Sequence, residues 1–389
     1  MSQCFSESTT LRVGGPMARL LTVRDERELT QHLAQIWQSD EPWFVLGGGS
    51  NVLASDEGFD GTVLRLATRG IELVPGAAPG YQRIHVRAGE RWDDLVAWTV
   101  AHGYVGIEAL SGIPGLVGAA PVQNIGAYGQ ELSTVLSSVD FLDEGSVQPR
   151  RILASELGLG YRDSLFKQGW LRGIISAIEL DLVPPTDSPT ATLSESVAFE
   201  QLARALDVPL GERVSLARVR NTVRALRAAK GMLLDPSDPD TASAGSFFTN
   251  PIVNEHVARS LPPDAPRWCL DPEPVSEVVP LTPPESPLDA FHAHRASVVT
   301  EAAMRDAPSA TSRTKLSAAW LIEHSGIHRG FRLPGSRAAI SSKHTLALTN
   351  RGGATAEEIA QLARYVRTRV HAEFGFELIP EPTLLGVEL

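Results

Sequence analysis

Apolar positions along this chain fall into helical and extended periods. Leu216, Val219, Val223 and Leu226 recur at helical spacing, which predicts a helix from about Ser215 to Ala229 with one buried face. Its other face carries Arg220, Arg224 and Arg227 and reads as solvated, while Lys230 stands apart because it ends the helix. Nearer the C-terminus, Thr355 and Glu358 have the spacing of a capping box. Ile359, Leu362, Val366 and Val370 make an apolar stripe behind them, and Gly375 stops the helix. A further helix over Arg91–His102 and short strands at Trp43–Val45 and Gln82–Arg87 give the N-terminal part an α+β character.

Two stretches interrupt these periods. Val183 to Pro189 is a proline-rich break where few contacts should cross, a candidate domain connection. Between Pro262 and Pro287 lie nine of the 27 prolines, which excludes a continuous helix or central strand and predicts an extended surface insertion.

Charge and cysteine content narrow the class. At 389 residues the chain can hold two or three domains, and its 35 basic against 46 acidic residues, a charge of −11, argue against nonspecific binding to nucleic acid or a membrane surface. Anions have to be met locally. Cys4 and Cys269 are too few for a disulfide framework or a thiolate metal site, which fits a reducing compartment. No basic and apolar leader opens the chain, and no apolar run approaches the ~18 residues of a membrane span. A soluble, cytoplasmic protein is expected. His292 and His294 lack a third ligand at sensible spacing, so no metal is expected either.

Candidate chemistry begins with glycine. From Val105 to Glu131 the chain places Gly106, Gly112, Gly115, Gly118, Gly126 and Gly129 among small residues and amides, with Gly103 just before. Such a segment suits tight turns in a buried sheet, or a backbone that must approach a large flat ligand. A second cluster, Gly47-Gly48-Gly49-Ser50-Asn51, follows the strand at Trp43–Val45. Consecutive glycines after a strand free backbone N–H groups to converge on an anion, and Ser50 and Asn51 add side-chain donors, as in a pyrophosphate cradle. The G-x-G-x-x-G dinucleotide fingerprint and the G-x-x-x-x-G-K-[ST] loop are both absent.

Four more motifs follow in order. Tyr161-Arg-Asp-Ser-Leu-Phe-Lys167 sets an arginine beside two aromatics, and Ala244-Gly-Ser-Phe-Phe-Thr-Asn-Pro251 frames two apolar anchors with a serine and an asparagine. Lys315-Leu-Ser-Ala-Ala-Trp-Leu-Ile-Glu323 reads as a helix with a lysine at its head, and Leu378-Ile-Pro-Glu381 holds one acid in an apolar, strand-like context. With Pro121-Val-Gln-Asn-Ile-Gly-Ala-Tyr-Gly129, this series resembles the UDP-N-acetylenolpyruvoylglucosamine reductase family, from Leu11 to Gly386, and YRDSxFK points to its type I branch.

That resemblance implies an α+β fold: a two-part FAD-binding domain of the vanillyl-alcohol-oxidase type, then an α+β substrate-binding domain. The corresponding spans are residues 1–68 and 69–190 for the FAD subdomains, 191–230 for a connecting loop and helix, 231–374 for the substrate domain with an insertion at 261–310, and 375–389 for a return to the active site. It implies FAD as cofactor, NADPH as reductant and a UDP-sugar as substrate, in a chain expected to be monomeric. The implied cofactor contacts are Gly47, Gly48, Gly49, Ser50, Asn51, Ser111, Gly112, Gly115, Gly118, Asn124, Gly126 and Ala127. By the same route the catalytic trio falls on Arg162, Ser246 and Glu381, and the substrate contacts on Tyr161, Lys230, Asn250 and Lys315.

Those side chains suit hydride transfer to an enolpyruvyl ether. A bidentate arginine meets the substrate carboxylate where negative charge develops, and a serine hydroxyl protonates the basic carbon. Glu381 can assist if it is neutral or bridged through a donor, as its apolar neighbours favour. The chain departs from the family in two places. Phe199 stands where a loop tyrosine is usual, and Pro382-Thr383 replaces Val-Arg after the catalytic glutamate. Two rivals follow from those departures and from the fold: another flavin-dependent oxidase, and a catalytically silent UDP-sugar-binding relative.

Overall fold

The computed structural model describes residues 3–39, 41–185, 192–270 and 313–389. Contacts divide the chain into a larger unit, Met1–Phe247 with Ile327–Val366 and Pro380–Leu389, and a smaller one, Phe248–Gly326 with Arg367–Ile379.

In the larger unit, strand Phe59–Leu66 lies between the parallel strands Met17–Val23 and Trp43–Val45. Helix Glu26–Ile36 covers this sheet, placing Leu29, Leu33 and Ile36 on Val23, Leu64 and Leu66. Asp25 caps the helix by accepting from the N–H of Glu28. A second, antiparallel sheet has the order Arg150–Leu153, Leu136–Asp143, Gly173–Leu182, Gln82–Arg87, Ile71–Val74. Against it packs helix Trp92–His102, whose Trp92, Leu95 and Val96 join Ile84, Val86, Ile178 and Leu180 in the main core. Trp92 is fully buried because its Nε1–H finds the carbonyl of Leu110 at 3.1 Å. Burying each such side chain contributes about 1.5–3 kcal/mol. The strands at Trp43–Val45 and Gln82–Arg87 are where the pattern predicts them.

Helix Leu216–Ala229 buries Val219 and Val223 against Leu202, Ala203 and Leu206 of helix Glu200–Leu206. Its arginine face is not solvated as the periodicity suggests. Arg220 and Arg224 pair with Asp93 of helix Trp92–His102, Arg220 at 2.7 Å, and Arg227 turns onto the carbonyls of Gly112 and Met232 at 3.1 Å each. The face opposite the apolar stripe is covered because a second charged element meets it.

Strand Thr383–Leu385 runs parallel to Val52–Ala54, so the end of the chain lies beside the Gly47–Asn51 turn, with the N–H of Thr383 on the carbonyl of Asn51 at 3.0 Å. Leu378–Glu381 itself is irregular rather than strand-like, because regular pairing starts only at Thr383. The C-terminal helix, Ala356–Phe374, forms its capping box: Thr355 N–H reaches Glu358 at 2.9 Å and Glu358 N–H reaches Thr355 Oγ1 at 3.1 Å. Ile359, Leu362, Val366 and Val370 are fully buried, and Gly375 closes the helix in the left-handed region at φ 73°.

The smaller unit contains an antiparallel sheet in the order Ile252–Asn254, Arg313–Leu316, Arg267–Cys269. Part of the proline-rich stretch is thus an edge strand, the sheet position that tolerates neighbouring prolines. Residues 271–287 of that stretch, His292 and His294, and residues 186–189 of the expected connection lie outside the described residues. Lys315 does not head a helix. It lies in the central strand, where Thr314 and Leu316 alternate inward, and Ser317 then caps helix Ala318–His324 by accepting from the N–H of Trp320. Among the described residues, no helix is long and apolar enough to cross a membrane.

Candidate active site

A cavity of about 500 Å³ opens inside the larger unit. One wall is glycine. A Cβ on Gly48 would stand 2.7 Å from Cα of Gly115, and one on Gly118 would stand 2.5 Å from Cβ of Ala88, so the two glycine clusters meet backbone to backbone. Gly115 also has φ 129°, which side chains rarely adopt. Among the described residues, the backbone N–H groups of Gly47, Gly48, Gly49 and Ser50 have no protein acceptor. The side chains expected to join them are engaged elsewhere. Ser50 Oγ donates to the carbonyl of Pro114 at 3.0 Å, and Asn51 Nδ2 donates to Gln123 Oε1 at 2.7 Å and to the carbonyl of Glu381 at 3.2 Å. The cradle is therefore one of main-chain donors.

The other wall is charged. Arg162, in the left-handed region at φ 55°, aims its guanidinium inward by donating to the carbonyl of Gly126 at 2.7 Å. Gly126 has no side chain because a Cβ would meet Glu131 at 2.8 Å and the Arg162 fork at 3.3 Å. Glu381 Oε1 lies 3.2 Å from Arg162 Nε and accepts from Gln123 Nε2 at 3.2 Å. Burial pushes the Glu381 carboxyl above the ordinary range, against the pull of Arg162, Lys167 and Gln123. Its N–H is fixed on the carbonyl of Phe247 at 2.9 Å, one residue after Ser246. Ser246 lines the same cavity, presented between Gly245, at φ 71°, and the fully buried Phe247.

Arg227 and Gln123 also line this cavity, while Tyr128 and Lys230 stand outside its lining, and sequence reasoning misplaced Arg227 and gave Gln123 and Tyr128 no role. Arg227 lines the cavity, and among the described residues no carboxylate is within ion-pairing distance of it. Burial lowers its pKa, although Tyr128 and Asp93 oppose the shift. Its helical position offers no signal of this, because the periodicity shows only which face is apolar. Gln123 stands inside a motif that drew attention for its glycines. Tyr128 lies with its ring 5.6 Å from the Lys230 ammonium and packs edge-on against Phe199 at 5.8 Å. A phenol thus stands beside the very residue that replaces the usual loop tyrosine. Lys230 donates to Gln201 at 2.8 Å, and burial, then Arg227, lowers its pKa.

The remaining expected contacts stand behind the wall or apart from it. Ser111, Gly112, Asn124 and Ala127 do not line the cavity. Ser111 and Gly112 bind Arg220, Asp93 and Arg227, and Asn124, at φ 45°, ties Ser133 to Gly160. Tyr161 lies 5.7 Å from the Arg162 guanidinium. Asn250 and Lys315 belong to the smaller unit, where Asn250 Oδ1 accepts from the N–H of Ala318 at 2.9 Å and the Lys315 ammonium lies 5.9 Å from the Trp268 ring.

A glycine-walled cavity with open main-chain donors and a charged portion has the features of a flavin site. The family profile described as FAD binding domain matches residues 17–147, and that described as UDP-N-acetylenolpyruvoylglucosamine reductase, C-terminal domain, matches residues 236–385. The reductase of that name from Leifsonia xyli subsp. xyli is 52% identical, covering 99% of this chain and 98% of its own. That from Saccharopolyspora erythraea is 43% identical over 98% and 94%. The chain belongs to the UDP-N-acetylenolpyruvoylglucosamine reductase family, and is an FAD-dependent oxidoreductase. The crystal structure of the Thermus caldophilus reductase shares its fold, with a TM-score of 0.60 at 24% identity over 99% of this chain and 98% of that one.

Proposed function

We propose that the chain reduces the enolpyruvyl group of UDP-N-acetylglucosamine enolpyruvate to give UDP-N-acetylmuramate, with NADPH as reductant, in the cytoplasmic stage of peptidoglycan synthesis that cell shape and division require. The observation that carries this is the meeting of Ser246, Arg162 and Glu381 on a cavity that the glycine cradle also lines. Its unpaired N–H groups suit the pyrophosphate of FAD. Bound there, FAD supplies hydride acceptance from NADPH and hydride donation to the substrate.

The chain's own residues do the rest. Arg162 and Arg227 hold the substrate carboxylate and stabilise the negative charge that develops beside it. Glu381, whose carboxyl burial pushes toward its neutral form, donates a hydrogen bond to that charge in that form without adding repulsion. The Ser246 hydroxyl supplies the proton to the carbon that does not receive hydride. Lys230 serves as a cation for the UDP diphosphate, with the Tyr128 phenol beside it in place of the loop tyrosine. The chain acts as a monomer.

Ser246→Ala tests this reading by dividing the catalytic cycle. The variant should stay yellow and be reduced by NADPH at the parent rate, whereas reoxidation by the enolpyruvyl substrate should slow by about 10²–10⁴. Unchanged reoxidation, followed by flavin absorbance in stopped flow, would show that another group is the proton donor.

A further inference from the structure

The hydrogen bonds around Glu381 make its two carboxyl oxygens unlike. Asn51 Nδ2 faces the carbonyl of Glu381 at 3.2 Å and Gln123 at 2.7 Å. A main-chain carbonyl only accepts, so the atom of Asn51 placed there is its amide nitrogen. That same nitrogen turns an N–H toward Gln123, which must answer with its oxygen, and the Gln123 amide nitrogen is thereby directed onto Glu381 Oε1 at 3.2 Å. Arg162 Nε approaches the same Oε1 at 3.2 Å. Among the described residues, no hydrogen bond reaches Oε2.

We propose that Gln123 is a positioning residue: oriented by Asn51, it occupies Oε1 of Glu381, so that the proton of the neutral acid sits on Oε2 and is offered to the substrate. This rests on the functional reading above, in which Glu381 acts as a neutral donor. The charged groups facing Glu381 are the cations Arg162 and Lys167, from one short segment, and both favour its ionised form. Gln123 is the uncharged member of the set. Replacing it with an apolar residue changes hydrogen bonding and leaves local charge alone.

The test uses the flavin-loaded full chain with Gln123→Met, which keeps length and removes the amide. NADPH should reduce the variant at the parent rate, because that half of the cycle does not call on Glu381. Reoxidation by UDP-N-acetylglucosamine enolpyruvate should slow about tenfold. The alkaline limb of its pH profile should also move upward by about one unit, because the ionised carboxylate has lost a donor. Gln123→Glu, of the same size, should move the limb further upward through like-charge repulsion, and decides the matter if the methionine variant loses its flavin. Slowing with an unmoved limb in either variant would reduce Gln123 to a packing role, and parent-like reoxidation would remove it altogether. Parent enzyme whose reduced flavin ignores the enolpyruvyl substrate would instead overturn the functional reading, and the positioning role with it.

Discussion

In one part of the cavity lining Gly48 and Gly115 touch backbone to backbone, and in another Arg162, Arg227 and Glu381 come in from three distant segments. The first wall is made by leaving side chains out, the second by aiming them. Leaving a side chain out is a property of the residue itself, so it can be seen at any glycine. Aiming one depends on what holds it from behind. Arg162 is aimed by the Gly126 carbonyl, and Arg227 by the carbonyls of Gly112 and Met232. The two walls should therefore fail in different ways when they are altered.

The largest effect is expected on the charged wall. Arg227 carries a desolvated cation with no carboxylate in contact among the described residues, an arrangement that costs folding energy. Arg227→Met should slow substrate-driven flavin reoxidation by about 10²–10³, the range for one donor to developing charge, while leaving thermal stability unchanged or raised. A matching fall in melting temperature would mean that Arg227 serves the fold rather than the reaction. The glycine wall should respond in the opposite sense. Gly48→Ala puts a Cβ 2.7 Å from a backbone carbon that cannot swing away, so stability should drop by about 1–3 kcal/mol and flavin content should fall with it. Normal flavin absorbance in that variant would show that the waist of the cavity can widen.

Asp93 stands outside the cavity lining, where it ties helix Leu216–Ala229 to the glycine-rich segment. It accepts from Gly112 N–H at 2.6 Å and pairs with Arg220 at 2.7 Å and with Arg224. Burial alone would raise its pKa, but the hydrogen bonds from Arg220 and Gly112 and the charges of Arg220 and Arg224 outweigh it, and the carboxyl titrates below its ordinary value. Its stabilisation is thus present above the unfolded carboxylate pKa and lost as pH falls through the folded one. Asp93→Asn should cost about 1–3 kcal/mol near neutral pH and progressively less below pH ~4. Chemical denaturation at several pH values checks this, and a cost independent of pH would show that Asp93 acts by shape alone.

The same contrast decides what the sequence could disclose. Gly47–Gly49, Gly115 and Gly118 announce a close approach by composition, and family motifs carry Arg162, Ser246 and Glu381 to one site before any coordinates exist. Arg227 was hidden because helical periodicity identifies the apolar face and is silent about what covers the other one. Its neighbours Arg220 and Arg224 meet Asp93 from more than a hundred residues away. Ser50 and Asn51 look like ligand donors in the sequence because their side chains permit it. Their hydrogen bonds to Pro114, Gln123 and Glu381 arise from the fold. Lys315 looks like a helix head because the apolar run after it is helical, yet Ser317 is the cap and Thr314 alternates as strand residues do.

The smallest effect sets local and long-range encoding against each other at one helix end. At the start of helix Ala356–Phe374, the reciprocal Thr355 and Glu358 bonds are visible in the sequence. Asp56, some three hundred residues earlier, is not, yet it accepts from the N–H groups of Ala356 at 2.8 Å and Glu357 at 3.0 Å. Both devices satisfy donors that the helix leaves open. Thr355→Ala should cost about 0.5–1 kcal/mol, the low part of the range for losing a cap, because Asp56 still holds the first turn. Asp56→Ala should cost about as much, and the double variant more than the sum, since each single change leaves the other carboxylate or hydroxyl in place to retain the turn. Flavin content should be unchanged in all three, because neither residue lines the cavity. Simple additivity in urea denaturation would show that the two caps hold the first turn independently, each through its own donors.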